Sequence, residues 1–268
     1  MHRCCTFIVL ILSMSGIACP VHAQSPYRLA WHRDGWIIGG AAALGVAASS
    51  ANNSIEPLTA REIGTLSRES VNPFDRSATH KFSEGMSAAS DIVVVVALAS
   101  PFALLLDKSV RGDWRTLTVM YAETMALAII LPALGKSAVE RNRPYVYNPD
   151  APLDEKVKRD ARSSFFSRHA TMAFASGVFL STAFNDYYPH SRSKSRILAG
   201  SLLGATVVGV MRYESGMHFP SDIIAGAIVG SVIGYAVPRL HRVNNERVDV
   251  VPYWTGSEYG VALRFLIP

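Results

Sequence analysis

Cysteine is scarce in this chain of 268 residues: Cys4, Cys5 and Cys19 are its three cysteines, and all precede position 20. The same stretch has the form of a secretory signal, with an apolar core before a small-x-small site that ends at Ala23. We expect residues 1–23 to be a cleaved signal peptide, with an uncleaved first helix as the alternative. Cleavage would leave a mature chain without cysteine, which excludes disulfides, thiol nucleophiles and cysteine metal sites.

Charged residues are also few, at 18% of the chain, whereas hydrophobic residues make up 49% and the mean hydropathy is +0.20. The apolar residues come in blocks, and the basic residues behind the formal net charge of +5 lie in short loops between those blocks. This distribution favours a membrane-surface or phosphate-directed role. We therefore expect a membrane environment and no nucleic-acid partner.

Apolar runs recur along the chain. They cover residues 36–50, 92–106, 117–135, 170–184, 197–211 and 223–237. Several are only 15 residues long, so polar turns must extend them if they are to span a bilayer, which takes ~20 residues. Pro101 predicts a kink in the second run. The predicted fold is all-α, an integral membrane bundle of five to six apolar helices, and the sequence leaves open whether residues 36–50 cross.

Three polar clusters stand at the edges of these runs. They contain Lys136 and Arg143-Pro144, then Ser167-Arg168-His169, then Arg212, His218 and Asp222. Polar groups between segments that are apolar enough for a membrane are energetically unfavourable, and where they occur they mark functional sites. An arginine cannot be neutralised and suits phosphate oxygens, and an aspartate beside a histidine fixes the tautomer of its ring. The clusters predict an anion site with acid–base groups at one membrane face.

In chain order the clusters read K-x6-R-P, S-R-H and R-x5-H-x3-D. They resemble the motifs of the type 2 phosphatidic acid phosphatase (PAP2) superfamily, which also contains vanadium haloperoxidases: K-x6-R-P, P-S-G-H and S-R-x5-H-x3-D. The first motif matches fully. In the second, Phe166 and Arg168 replace the proline and glycine, and in the third Met211 replaces the serine. The resemblance covers residues 117–237, the motif core of a domain that we place at residues 24–247.

The resemblance implies a metal-free phosphatase that needs no cofactor and acts through a phosphohistidine. His218 would be the nucleophile, Asp222 its orienting partner, and His169 the group that protonates the leaving alkoxide and then activates water. The phosphoryl oxygens would be held by Lys136, Arg143, Ser167 and Arg212. Arg168, which stands where the family has glycine, either points to water or adds a further anion clamp.

The substrate implied by this resemblance is a phosphorylated lipid, because the site lies at a membrane face. Phosphatidic acid, phosphatidylglycerol phosphate, undecaprenyl pyrophosphate and lipid A are the candidates. A non-catalytic binder or carrier of phosphorylated lipid and a vanadate-dependent haloperoxidase remain alternatives. A metal hydrolase is disfavoured, because Asp222 is the one motif carboxylate expected in the site.

Basic residues outside the motifs form three loops. These contain Lys108, Arg111 and Arg115, then Arg192, Lys194 and Arg196, then Arg239, Arg242 and Arg247. Short cytoplasmic loops carry an excess of lysine and arginine, so the three motifs are expected on the opposite side. Together with the signal peptide, this predicts a bacterial inner-membrane protein whose active site faces the periplasm.

Two features stand outside the motifs. Glu123 lies inside an apolar run, where acids are often functional; the interpretation that we favour is pairing with a basic residue on a neighbouring helix. The tail, residues 248–268, has two apolar stretches around turn residues and resembles a short β-hairpin.

Overall fold

The structure of the protein is a computed structural model, and it describes residues 25–243, 248–254 and 259–265. The predicted signal peptide, residues 1–23, lies outside the described residues, as do all three cysteines. The division into signal peptide, domain and tail stays a prediction.

Helices dominate the described residues. In chain order the α-helices are α1 (Trp31–Asn53), α2 (Ala60–Thr65), α3 (Glu84–Ala99), α4 (Lys108–Arg111), α5 (Trp114–Val139), α6 (Leu153–Lys156), α7 (Arg168–Tyr187), α8 (Lys194–Glu214) and α9 (Pro220–His241). Short 3-10 segments cover Arg68–Ser70, Arg76–His80, Ser100–Leu106, Pro144–Tyr147 and Arg159–Arg162. In the tail, β1 (Val248–Trp254) and β2 (Tyr259–Phe265) pair antiparallel. The connection between them lies outside the described residues, so the complete hairpin stays a prediction.

Helix α3 begins well before its apolar run. Ser83 caps it by accepting a hydrogen bond from the backbone N–H of Met86 at 3.2 Å. Residues 84–91, which precede the apolar run, are therefore already helical. The α-helix ends at Ala99 and continues as a 3-10 segment whose first turn contains Pro101. The expected kink is therefore a change of helix type, because a proline removes an α-helical hydrogen bond but is tolerated in a first turn.

Four helical stretches of the described chain are long and apolar enough to cross a membrane. They are Glu84–Leu106, Trp114–Tyr147, Lys194–Glu214 and Pro220–His241. Large apolar side chains project outward from them, including Val96 at 66% exposure, Leu203 at 67% and Val232 at 61%. An apolar exterior of this kind is suited to lipid, and the chain is a membrane protein. The number of helices that cross stays a prediction.

Helix α7 occupies the interior and packs against α5, α8 and α9. Its contact with α9 is close because α9 presents glycine every fourth residue, at Gly226, Gly230 and Gly234. A Cβ at Gly230 would lie 2.3 Å from the carbonyl oxygen of Thr171, so only glycine permits this approach. The close packing sets the start of α9 against the start of α7.

The motif-bearing helix ends gather at one end of the bundle: the C-termini of α5 and α8 and the N-termini of α7 and α9. The backbone N–H of Ser167 donates to the carbonyl oxygen of Asp222 at 3.1 Å. Gly216 makes the turn between α8 and α9 with a φ of 72°, and a Cβ there would lie 2.1 Å from the carbonyl oxygen of Lys81. The basic-loop residues within the described ranges lie at the opposite end, where Asp186 contacts Arg239 at 3.3 Å.

Candidate functional site

A cavity of about 440 Å³ opens where the motif-bearing helix ends meet. It is lined by Ser87, Asp91, Lys136, Arg143, Asp160, Arg168, His169, Arg212 and His218. Six of the eight residues predicted from the sequence are in this lining, and Ser167 and Asp222 lie behind it. The cavity has four cationic side chains against two carboxylates, which makes it an anion site.

His218 is held in the wall of this cavity and is only 1% exposed. Its Nδ1–H donates a hydrogen bond to the main-chain carbonyl of Ser164 at 2.8 Å, which leaves the lone pair on Nε2. Burial, assisted by the charges of Arg143 and Arg212, lowers the pKa of His218 to about 3. The ring is therefore neutral at pH 7, as a nitrogen nucleophile requires.

Asp222 lies beside His218, with its Oδ2 3.8 Å from Nδ1, and its role as the orienting partner stays a prediction. That oxygen accepts from the hydroxyl of Ser164 at 2.6 Å and from the backbone N–H of Phe219 at 2.9 Å. The cause is local, because a carboxylate in the first turn of a helix turns back to cap it. Asp222 thus fixes Ser164, and the Ser164 carbonyl orients the imidazole.

Arg141 ties Asp222 to the rest of the site. Its Nη1 bonds Asp222 Oδ1 at 2.5 Å, and its Nη2 bonds Asp75 Oδ2 at 2.8 Å. Asp75 also accepts from the backbone N–H of Ser221 at 2.9 Å. The guanidinium lies 4.1 Å from the ring centroid of Phe219. Arg141, in the first motif, is therefore a structural clamp on the start of α9.

His169 contacts a carboxylate that the motifs do not contain. Its Nε2 lies 2.8 Å from Asp91 Oδ1, and the same oxygen lies 3.6 Å from Arg212 Nη1. Arg212 also donates to the hydroxyls of Ser87 at 3.1 Å and Ser90 at 3.0 Å. Burial and the charge of Arg212 lower the pKa of His169 to about 4, although Asp91 acts in the opposite direction. His169 is therefore neutral at pH 7 in this structure.

Arg143 is buried and paired with a second unpredicted acid. Its Nη2 lies 2.7 Å from Asp160 Oδ2, and its Nε donates to the Asp160 carbonyl at 2.9 Å. Burial acts to raise the pKa of Asp160, but the charges of Arg143 and Lys136 outweigh it and hold that pKa below its usual value. Asp160 is therefore an anion that fixes the direction of the Arg143 guanidinium.

Ser167 and Arg168 occupy different surroundings. Ser167 is fully buried, and its hydroxyl oxygen caps α7 by accepting from the backbone N–H of Ala170 at 3.3 Å. Its proton remains available to another acceptor, so its phosphate-binding role stays a prediction. Arg168 lines this cavity and also a neighbouring one of about 320 Å³ next to Asn52 and Asn53. Its side chain thus stands between two solvent-accessible spaces.

The sequence contained one signal for the missed residues. Ser90 and Asp91 follow Ser87 by three and four positions, so both lie on its side of the helix, immediately before an apolar run. Asp160 and Ser164 gave no comparable signal. The described residues include one group of three potential metal ligands, and it lies outside this cavity, at Asp34, Glu123 and His241.

Comparisons with known proteins confirm the resemblance. The sequence model of the PAP2 superfamily matches residues 117–246. A lipid A 4'-phosphatase of Bacteroides thetaiotaomicron is 29% identical over 124 residues, which cover 44% of this chain and 48% of that protein, so the chain matches about half the length of this curated relative. The crystal structure of a PAP2-type phosphatidylglycerolphosphate phosphatase from Bacillus subtilis aligns over 75% of this chain and 94% of that one, with 19% identity and a TM-score of 0.45.

Proposed function

We propose that this protein, whose residues 117–246 match the PAP2 superfamily, is a membrane phosphatase that hydrolyses a phosphate ester or pyrophosphate of a lipid. The observation that carries the proposal is the buried, neutral His218, whose Nδ1 is fixed by Ser164 at 2.8 Å in the wall of a cationic cavity. A neutral imidazole with one fixed N–H is a nucleophile through its other nitrogen.

In the proposed reaction, Nε2 of His218 attacks phosphorus, forming a P–N bond while the bond to the leaving oxygen breaks. The protonated ring of His169, which forms once the phosphate anion has entered, donates a proton to that oxygen and becomes neutral. Water then attacks phosphorus, His169 takes its proton, and the P–N bond breaks to restore His218 and release phosphate. The contact between His169 Nε2 and Asp91 at 2.8 Å supports this role, because a carboxylate partner fixes the tautomer and stabilises the protonated ring.

The cations of the cavity would hold the phosphoryl group during transfer. Lys136, Arg143 and Arg212 come from three different segments and converge on one space. Phosphoryl transfer depends mainly on positioning and on stabilising charge on the transferred oxygens. Each of these residues can do that through N–H groups, and Ser167 can add a hydroxyl.

The proposed substrate is a lipid, since the cavity lies at the end of four apolar helical stretches. Phosphatidic acid, phosphatidylglycerol phosphate, undecaprenyl pyrophosphate and lipid A all carry the required group. The relative that acts on lipid A supports that candidate. Five to six apolar helices are proposed to lie in a bacterial inner membrane, with the cavity facing the periplasm and the three basic loops facing the cytoplasm.

A phosphate-release assay tests this proposal. Purified wild-type protein, His218→Ala and the matched control His190→Ala, which changes an exposed histidine far from the cavity, are each given the four lipids. We expect wild type and the control to release phosphate from at least one lipid, and His218→Ala to lose at least about a thousandfold in rate. Binding without release would instead identify a lipid carrier. Vanadate-dependent halide oxidation would identify a haloperoxidase.

A further inference from the structure

A second polar cluster lies at the opposite end of the bundle from the phosphate cavity. Asp34 comes from the first turn of α1, Glu123 from the interior of α5 and His241 from the last turn of α9. Their exposed fractions are 6%, 1% and 1%. One potential ligand atom from each lies within 4.8 Å of the others.

His241 directs its Nε2 atom at both acids. Its Nδ1–H donates to the Val237 carbonyl at 2.8 Å, which leaves the lone pair on Nε2. Nε2 lies 3.2 Å from Asp34 Oδ1 and 3.2 Å from Glu123 Oε2. Neither contact has hydrogen-bond geometry: within the described chain, Nε2 and both Glu123 oxygens have no hydrogen-bond partner. The expected basic partner of Glu123 is thus an imidazole of a neighbouring helix, at ion-pair distance only.

Groups that can hold a cation converge in this buried space. Arg33 Nε supplies one contact to Asp34 Oδ1 at 2.8 Å, but Glu123 keeps two unpartnered oxygens. An uncompensated carboxylate is strongly unfavourable in a membrane interior. A divalent ion would balance both carboxylates and accept the Nε2 lone pair.

The spacing of His241 Nε2 from the two carboxylate oxygens fits a small tetrahedral ion. Metal–ligand bonds of ~2.0–2.1 Å to nitrogen and oxygen at tetrahedral angles put neighbouring ligand atoms about 3.3 Å apart. The two nitrogen–oxygen distances here are both 3.2 Å. The hydrogen bond from His241 Nδ1 to a backbone carbonyl is the outer support that metal-bound histidines usually have.

We propose that Asp34, Glu123 and His241 bind one divalent transition-metal ion, for which zinc is the best match of charge, size and ligand type. The ion ties the start of α1 to α5 and to the end of α9. The chain segment before α1 already contacts the end of α9 there, since the backbone N–H of Arg28 donates to the His241 carbonyl at 2.8 Å. The site is structural, it lies apart from the phosphate cavity, and it does not depend on the proposed phosphatase function.

The metal content of the purified protein tests this site. Wild type, Glu123→Gln, His241→Gln and His32→Gln are prepared without metal-affinity tags and analysed by inductively coupled plasma mass spectrometry. His32 is an exposed histidine of α1 and serves as the matched control. We expect one zinc per chain in wild type and His32→Gln, and at least a tenfold lower content in the other two. Absence of zinc from wild type, or equal zinc in all four, would overturn the proposal.

A zinc titration of the wild-type protein tests the site without any variant, so it applies even where a variant does not fold. Chelator-stripped protein should bind one added zinc and gain several degrees in unfolding temperature, because a ligand that binds only the folded state stabilises it. Magnesium at the same concentration should give no shift. Failure of zinc to bind or to raise the unfolding temperature contradicts the site. The His218→Ala variant should keep its zinc, which separates this proposal from the catalytic one.

Discussion

Single residues decide the protonation states in the cavity at the motif-bearing helix ends. His218 and His169 are both neutral because burial and nearby guanidinium groups disfavour the imidazolium form. For His218, the neutral ring is the form that a nitrogen nucleophile requires. In the proposed reaction, His169 would gain its acid form only when an anion enters, since a bound phosphoryl group would offset the charge of Arg212.

The Asp91→Asn variant tests this coupling. The Asp91 carboxylate acts to raise the pKa of His169, so its removal lowers the pKa and shifts the alkaline limb of the kcat profile to lower pH. The pH dependence of kcat would be measured for wild type, Asp91→Asn and the control Glu84→Gln, which alters an exposed acid on the same helix. A lower kcat with no shift in the midpoint of the alkaline limb would mean that Asp91 supports the structure of the site and does not set the pKa of His169.

Arg168 provides a second test at this scale. The residue stands between two cavities, so its guanidinium can reach a second negative group of a pyrophosphate or bis-phosphorylated lipid. Arg168→Gly should raise KM for such lipids more than for phosphatidic acid, by about 1.5–3 kcal/mol, the range for a hydrogen bond to a charged group.

The control for Arg168→Gly is Arg61→Gly, which removes an exposed arginine outside both cavities. It corrects for any general loss of attraction to anionic lipid. Equal KM changes for all lipids would place the Arg168 side chain in solvent and remove this account of specificity.

The sequence predicted the cationic and imidazole groups of the cavity because they are local motifs at helix edges. Asp91 and Asp160 were missed, and both reach the cavity through contacts distant in sequence: Asp91 meets His169 across 78 positions. The contacts of Asp222 could not be predicted from its spacing to His218 alone. Capping of α9 draws the carboxylate toward Phe219, and its role as the orienting partner stays a prediction.

At the scale of elements, the contact between α7 and α9 positions the site. The glycines of α9 allow backbone approach, and that approach places the Asp222 carbonyl against the Ser167 N–H at 3.1 Å. Both helices were predicted from their apolar runs. In the structure they are longer than those runs, because residues at the helix starts are helical as well; α9, for example, begins at Pro220. The sequence did not predict which faces meet, because small residues on a face are compatible with several partners.

Gly230→Ala tests this packing. The added Cβ would lie 2.3 Å from the Thr171 carbonyl oxygen, so the helices must separate at a cost of roughly 1–3 kcal/mol, as in other overpacked interiors. The control is Gly204→Ala on α8, where no atom lies within 4 Å of the added Cβ and helix propensity improves. Thermal unfolding of both variants in detergent would measure the difference. Equal unfolding temperatures would contradict the close approach.

At the scale of the whole molecule, the motifs and the described residues of the basic loops lie at opposite ends of the bundle, and the positive-inside rule predicts that the motif end faces the periplasm. Single cysteines at exposed positions test this, in a background with Cys4, Cys5 and Cys19 changed to serine. Asp150→Cys lies at the motif end and His190→Cys at the basic end. We expect an impermeant thiol reagent to label the first but not the second in intact spheroplasts. The reverse labelling would place the cavity in the cytoplasm.

The most direct test of the central claim is to trap the covalent intermediate. Wild type would be mixed with the lipid that it hydrolyses, quenched within milliseconds in alkali, where phosphohistidine is preserved, and digested for mass spectrometry. The account predicts a phosphoryl group on His218, absent from His218→Gln and longer-lived in His169→Asn, which lacks the group that activates water. Turnover in His218→Gln, or a phosphoryl group on another residue, would contradict it.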